Sequence, residues 1–259
     1  MNKSGVYKTK KQNGEIYFRS SFTYKNKHIS LGSFNNETDA YNCYRDAIRL
    51  SKSTLTINDY NENRFTIPFE KYVSIVNFRD NNVYFSNPIY LQKRYFLYYF
   101  DKKTAYRFDI DDLFYYAEHK ISKRGGHLFV ADYGMQINVL NRYNIKSHAV
   151  LGRDYRFVNG DITDFSYENI EIINPYAGVM KVIRGNETKY KAYILIKNNI
   201  VIGYYDKDYI AAIAYNKAAD ILISKGIKNY HFNYIEDLSP REYAGIYSDI
   251  VIPEKITSL

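Results

Sequence analysis

GVYKTKKQNGEIYFRSSFTYKNKHISLGSFNNETDAYNCYRDA at residues 5–47 and GVMKVIRGNETKYKAYILIKNNIVIGYYDKDYIAAIAYNKA at residues 178–218 are two versions of one small unit. Each opens on Gly-Val, passes through two aromatic-rich stretches joined by a polar turn, and reaches a glycine, Gly32 or Gly203. An aromatic follows that glycine two residues later, Phe34 or Tyr205. Beyond it the copies align without gaps, so that Ala40, Tyr44 and Ala47 stand opposite Ala211, Tyr215 and Ala218. A unit stated twice in 259 residues implies a modular protein, most simply one that reads an extended or repetitive partner.

The periodicities inside the unit are legible. Phe18, Ser20 and Phe22 alternate with Arg19, Ser21 and Thr23, as in a strand with one buried and one solvated face. A turn at Tyr24, Lys25 and Asn26 leads into a second strand with Ile29 and Leu31 inward and His28 and Ser30 outward. The second copy places Tyr190, Ala192 and Ile194 inside and Lys191 and Tyr193 outside, with a hairpin one residue shorter through Asn198 and Asn199. Thr38 and Asp206 are the expected helix caps, and the Ala-Tyr-Ala stripe at spacings of four and three marks the buried helix face. The expected unit is a three-stranded antiparallel sheet backed by one helix, its open face polar and basic.

Charge follows the repeats. The net charge is +8, and its distribution matters more than its size: residues 1–60 carry an excess of +5 and residues 176–230 another +5, whereas residues 61–175 carry +1 and the remainder −3. Basic sheet modules are the electrostatic footprint of phosphate neutralisation. Four segments are expected: a module at 1–60, a central domain at 61–175, a second module at 176–235 and a helical tail at 236–259, started by Ser239 with Pro240 in the first turn. The acidic tail is expected to pack on protein, bracing the second module or recruiting a partner. The single Cys43 falls on the buried helix stripe and reads as a small core residue. No apolar run has the length of a membrane span and the N-terminus has no signal-peptide core, so no membrane partner and a cytoplasmic location are expected. The abundance of Tyr, Asn, Lys and Ile hints at an AT-rich, bacterial or phage coding sequence.

The order of GV, the Phe18-Ser20-Phe22 alternation, KHISLGSF and the helix TDAYNCYRDA resembles the APETALA-type, ethylene-responsive-factor DNA-binding domain. The second copy resembles it through YKAYI, IVIGYYD and AAIAYNKAA. In that family the sheet lies in the major groove of duplex DNA, and a ribbon of two or three strands fits a groove about 12 Å wide. The resemblance implies contacts from Lys8, Arg19, Ser21, Lys27, His28 and Ser30 in the first copy and from Lys181, Arg184, Lys191 and Tyr193 in the second. Most of the arginines and tryptophans of the plant domains are missing, so the target sequence does not carry over.

The middle of the chain, with RFDIDDL at 107–113, GGHLFV at 125–130, INVLNRY at 137–143 and RFVNGDITDFSYENIEII at 156–173, is similar in order and spacing to HNH homing-type endonucleases, which often carry an APETALA-type module. Their ββα-metal core uses a His as general base, an Asn that holds its ring, and an Asp with a further His on one divalent metal. Val158, Asn159, Gly160, Asp161, Asp164, Asn169 and Ile170 keep the pattern, but Arg156 replaces the metal-binding Asp, Phe157 the general-base His, and Asn141 the remaining His. A guanidinium does not ligate Mg²⁺ and a phenyl ring accepts no proton. His119, His127, His148 and His231 read as structural, and Asp109, Asp111 and Asp112 as charge at a helix N-terminus.

The sequence therefore predicts an α+β protein in which two sheet-plus-helix modules flank a degenerate, HNH-like ββα centre. Its expected role is binding of double-stranded DNA without catalysis, regulating transcription or blocking another DNA-acting enzyme, with neither metal nor cofactor. The alternatives are an active Mg²⁺-dependent nicking or homing nuclease, and a phage-type inhibitor of a nucleic-acid-guided defence nuclease.

Overall fold

A computed structural model describes residues 4–227 and 230–259, apart from the side chain of Arg184. Along the chain lie β1 (Val6–Lys10), β2 (Ile16–Tyr24), β3 (Lys27–Phe34), α1 (Glu37–Lys52), α2 (Phe69–Asn81), β4 (Ile89–Leu91), β5 (Tyr95–Tyr99), β6 (Ala105–Asp109) and α3 (Leu113–Glu118). Then come β7 (Ile121–Arg124), β8 (His127–Asp132), β9 (Met135–Asn138), β10 (Tyr155–Phe157), β11 (Asp164–Phe165) and β12 (Ile170–Ile172). The second repeat supplies β13 (Val179–Arg184), β14 (Glu187–Leu195), β15 (Asn199–Tyr205) and α4 (Asp208–Ser224), followed by α5 (Pro240–Asp249) and α6 (Glu254–Thr257). The chain forms two compact units, one of residues 1–137 with 161–167 and the other of residues 138–160 with 168–259. No helix among the described residues is long and apolar enough to cross a membrane.

The first unit begins with the predicted module. Strands β1, β2 and β3 pair antiparallel in that order, and Phe22, Ile29 and Leu31 pack with Cys43, Ala47 and Leu50 of α1. Asn36 caps α1, its side chain accepting the Asp39 N–H, two residues before the expected Thr38. The β2–β3 turn is tight because Lys25 and Asn26 both take positive φ, which matches the twist of the strands it joins. The module does not end at residue 60. Ile57, Phe65, Ile67, Tyr72, Val73 and Val76 enter the same core, and Arg79 of α2 donates to the carbonyls of Leu50 (3.3 Å) and Ser53 (2.9 Å) at the C-terminus of α1. A cation there meets the negative end of the helix dipole.

Beyond this core the first unit holds a four-stranded sheet, β11-β6-β5-β4, and a three-stranded ribbon, β7-β8-β9. Strand β11 runs parallel to β6 and places Phe165 against Tyr106 and Phe108.

The second unit repeats the module as β13-β14-β15 with α4. Ala192, Ile194, Ala211, Ala218 and Leu222 are fully buried in its core. Lys207, not Asp206, holds the N-cap position of α4; the Asp206 carboxylate instead accepts from Lys189 at 2.5 Å. The tail braces this module, since Ile250, Ile252 and Ile256 join its core. The Ser239 cap with Pro240 at the start of α5 is as expected, with a reciprocal bond to Glu242.

The structure does not confirm the expected ββα centre. Strands β10 and β12 form an antiparallel pair, but residues 173–178 run on to β13 without the helix that would complete the motif.

Candidate nucleic-acid interface

Three devices shared by the repeats shape each sheet. Gly5 and Gly178 take positive φ, and their carbonyls accept the N–H of Ser21 (3.0 Å) and Tyr193 (2.8 Å). A bulge follows in each: Ser20 faces Gly32 while Ser21 faces Ser30, and Ala192 faces Gly203 while Tyr193 faces Val201. One extra residue in β3 and β15 sharpens the local twist. The aromatic two positions after the glycine folds back over it, with the Phe34 ring 3.8 Å from where a Gly32 β-carbon would lie and the Tyr205 ring closer still above Gly203.

In an antiparallel pair, residues directly opposite share a face. The outer face of the first sheet therefore carries the rows Tyr7–Arg19–Ser33, Thr9–Tyr17, Ser21–Ser30 and Thr23–His28. These strands bound a shallow trough of about 600 Å³ lined by Tyr7, Thr9, Arg19, Ser20, Ser21, His28, Ser30 and Ser33. The Arg19 guanidinium lies 5.9 Å from the Tyr17 ring centre, a cation held over an aromatic face. Hydroxyl donors, an imidazole and one guanidinium are thus set on a rigid floor.

Of the six residues nominated in this repeat, Arg19, Ser21, His28 and Ser30 meet in the trough. Lys8 and Lys27 do not. Lys8 is opposite Phe18 and Lys27 opposite Tyr24, on the helix side of the sheet, and the Lys27 ammonium lies 5.6 Å from the Tyr84 ring. Tyr7, Thr9, Ser20 and Ser33 complete the lining, and the sequence signal for Tyr7, Thr9 and Ser33 is register: all three lie in rows with β2 residues of the outer face.

The second sheet is less open. Its outer face carries Met180, Lys191 and Tyr204 in one row and Tyr193 with Val201 in another. Lys191 sits 5.7 Å from the Tyr193 ring. Burial pushes the Tyr193 hydroxyl above its ordinary value, with Arg153 pulling it partly back. Lys181 pairs with Tyr190, whose register with Tyr205 puts it on the helix side. Arg184 closes β13, and its side chain lies outside the described residues. Lys189, although outward, is bound to Glu187 at 3.0 Å and to Asp206.

Residues at the HNH-like positions have structural work. Arg156 pairs with Glu171 across β10 and β12 at 2.7 Å, and Phe157 is buried beside Tyr155. The Asn169 side chain accepts the Asn159 N–H at 2.8 Å and its carbonyl accepts the Val158 N–H at 2.8 Å, closing the turn. Asn141 is exposed on a 3₁₀ turn, Val139–Tyr143. Asp161 accepts from the backbone and hydroxyl of Thr163, which hold its carboxyl below the ordinary range. Asp164 accepts both donors of Ser166. Among the described residues no group of three or more His, Cys, Asp or Glu is placed to hold a metal ion.

The histidines and the acidic cluster behave likewise. His119 stacks on Tyr115 at 4.2 Å and lies 3.5 Å from Asp132; His127 follows the Gly125-Gly126 turn of the β7–β8 hairpin. His148 lines a small cleft with Asp154 and Asn174, where burial lowers its proton affinity. Asp109 accepts the Tyr167 N–H and Asp112 the Tyr167 hydroxyl. Comparison of the chain with family models, curated proteins and solved structures finds no match.

Proposed function

We propose that this protein binds double-stranded DNA through the outer face of its first sheet and acts without catalysis, as a regulator or as a blocker of another DNA-acting enzyme. The observation that carries the reading is the convergence of Arg19, Ser21, His28 and Ser30 in one open trough on a three-stranded sheet. Strands about 4.8 Å apart make such a sheet roughly 10 Å across, which suits a major groove about 12 Å wide. The local charge supports it, since residues 1–60 carry a net excess of +5. Arg156 and Phe157 offer neither a general base nor a metal ligand, which supports a role without cleavage.

The test is a selection from a randomised duplex library at physiological salt with Mg²⁺ present, followed by sequencing of what the protein retains. The expected result is enrichment of intact duplexes sharing a motif. Retention that is lost at moderate salt without enrichment would abandon sequence reading, and Mg²⁺-dependent strand cleavage would restore the nuclease.

A further inference from the structure

The β7-β8-β9 ribbon of the first unit has the build of the first sheet on a smaller scale. Ile121, Leu128 and Val130 are buried, so the register of β7 with β8 puts the rows Ser122–Phe129 and Arg124–His127 on the opposite, outward face. The His127 and Phe129 rings lie 6.4 Å apart on it, and Gln136 of β9 accepts from Arg124 at 3.4 Å. The β7–β8 turn is Gly125-Gly126, both with positive φ, and nothing stands within 4 Å of where their β-carbons would be. The hairpin tip is therefore slender and unobstructed, with Arg124 and His127 side by side at its base.

Its basic residues outnumber its acids. Between residues 120 and 137 the chain has Lys120, Lys123 and Arg124 against a single acid, Asp132. Lys120 is taken by Glu70 at 2.7 Å and Asp132 faces His119. Lys123, on the inner side by register, lies 5.7 Å from the Tyr106 ring. No carboxylate among the described residues pairs with Arg124. A planar guanidinium without a counter-ion, beside an imidazole, an amide and an aromatic ring on the outward face of the ribbon, matches a nucleic-acid backbone, where phosphate oxygens accept from the guanidinium and rings pack on sugars.

We propose that the outward face of this ribbon is a second duplex-contact surface that grips phosphates through Arg124 and His127; the proposal rests on the DNA-binding reading given above. Its test uses the full chain. Cys43 is fully buried, so a benzophenone maleimide is directed to H127C, or in a parallel protein to S33C in the trough. Each is irradiated with duplex DNA, and R124A is titrated over a salt series beside R94A, which removes an exposed arginine from the β4–β5 turn. The expected result is cross-linking from both positions, with the salt slope falling by about one unit in R124A and unchanged in R94A. Cross-linking from S33C alone, or a slope in R124A equal to that of R94A, overturns the second surface and leaves the trough standing. Cross-linking from neither position overturns both.

Discussion

The Tyr44 ring occupies the space that a side chain on Gly5 would need: a β-carbon there would lie 2.1 Å from Tyr44 Cδ2, and Tyr215 stands 2.2 Å from the same point on Gly178. In each repeat the chain enters the sheet pressed against the tyrosine of the helix stripe, so the Gly-Val opening and the Ala-Tyr-Ala stripe are two halves of one contact. G5A and G178A should each destabilise the protein by about 2–4 kcal/mol, since a strained positive φ adds to overpacking against the ring. Denaturant unfolding measures this, and a wild-type midpoint for either variant would refute the contact.

Face assignment gives a sharper test of the DNA-binding surface. R19A should weaken duplex binding by about 1–3 kcal/mol, roughly fivefold to 150-fold, whereas K8A and K27A, on the helix side, should change it little. Fluorescence anisotropy with one labelled duplex ranks the three. Equal losses would mean that total charge, and not the trough, governs binding.

Lys217 ties the tail to the second module. Its ammonium donates to the carbonyls of Tyr247 (2.6 Å), Ser248 (3.3 Å) and Ile250 (2.7 Å) and lies 5.0 Å from the Tyr247 ring. K217M should strip these carbonyls of a charged partner and cost about 1–3 kcal/mol. Hydrogen exchange should then accelerate across residues 240–256 first, and uniform protection there would count against the tie.

The protein should also be sensitive to alkali. Burial pushes the Tyr72 and Tyr247 hydroxyls up to about 12, the Tyr98 hydroxyl higher, and the Cys43 thiol up to about 12, with Asp46 adding to the last. The folded state keeps these protons when the unfolded chain releases them, so the stability they confer is whole below about pH 9 and falls as the pH rises toward 12. Absorbance at 295 nm should show a set of tyrosines ionising together with loss of structure. A smooth titration near pH 10 with the fold intact would contradict it. Cys43 should likewise resist alkylation at pH 8 until the chain unfolds.

The repeats were legible because their signals are short-range: alternation in β2 and β14, a glycine with an aromatic two positions on, and an alanine stripe. Helix α1 begins two residues earlier than expected because Asn36, and not Thr38, accepts the Asp39 N–H, and α4 begins one residue later than expected, after Lys207. The resemblance nominates Lys8 and Lys27 by position, although Lys27 shares parity with the inward Ile29 and Leu31; a long lysine stem carries its ammonium to water from either face. In the centre, Asn159, Gly160 and Asp161 match a turn, and a turn is what the structure contains. The rest of a ββα core depends on a helix that these residues do not encode. The β7–β9 ribbon, although GGHLFV marks its place, does not read as a basic surface because its excess disappears when charge is averaged over residues 61–175.

The short excursion of residues 161–167 into the first unit has a bearing on ancestry and on engineering alike. Phe165 fills a place beside Tyr106 and Phe108 that the first 137 residues leave vacant, while the chain on either side of the excursion belongs to the second unit. The backbone thus passes from one unit to the other three times. No single break in the gene separates two self-sufficient halves, so the units should be inherited, exchanged or lost together, even though the modules inside them share one pattern.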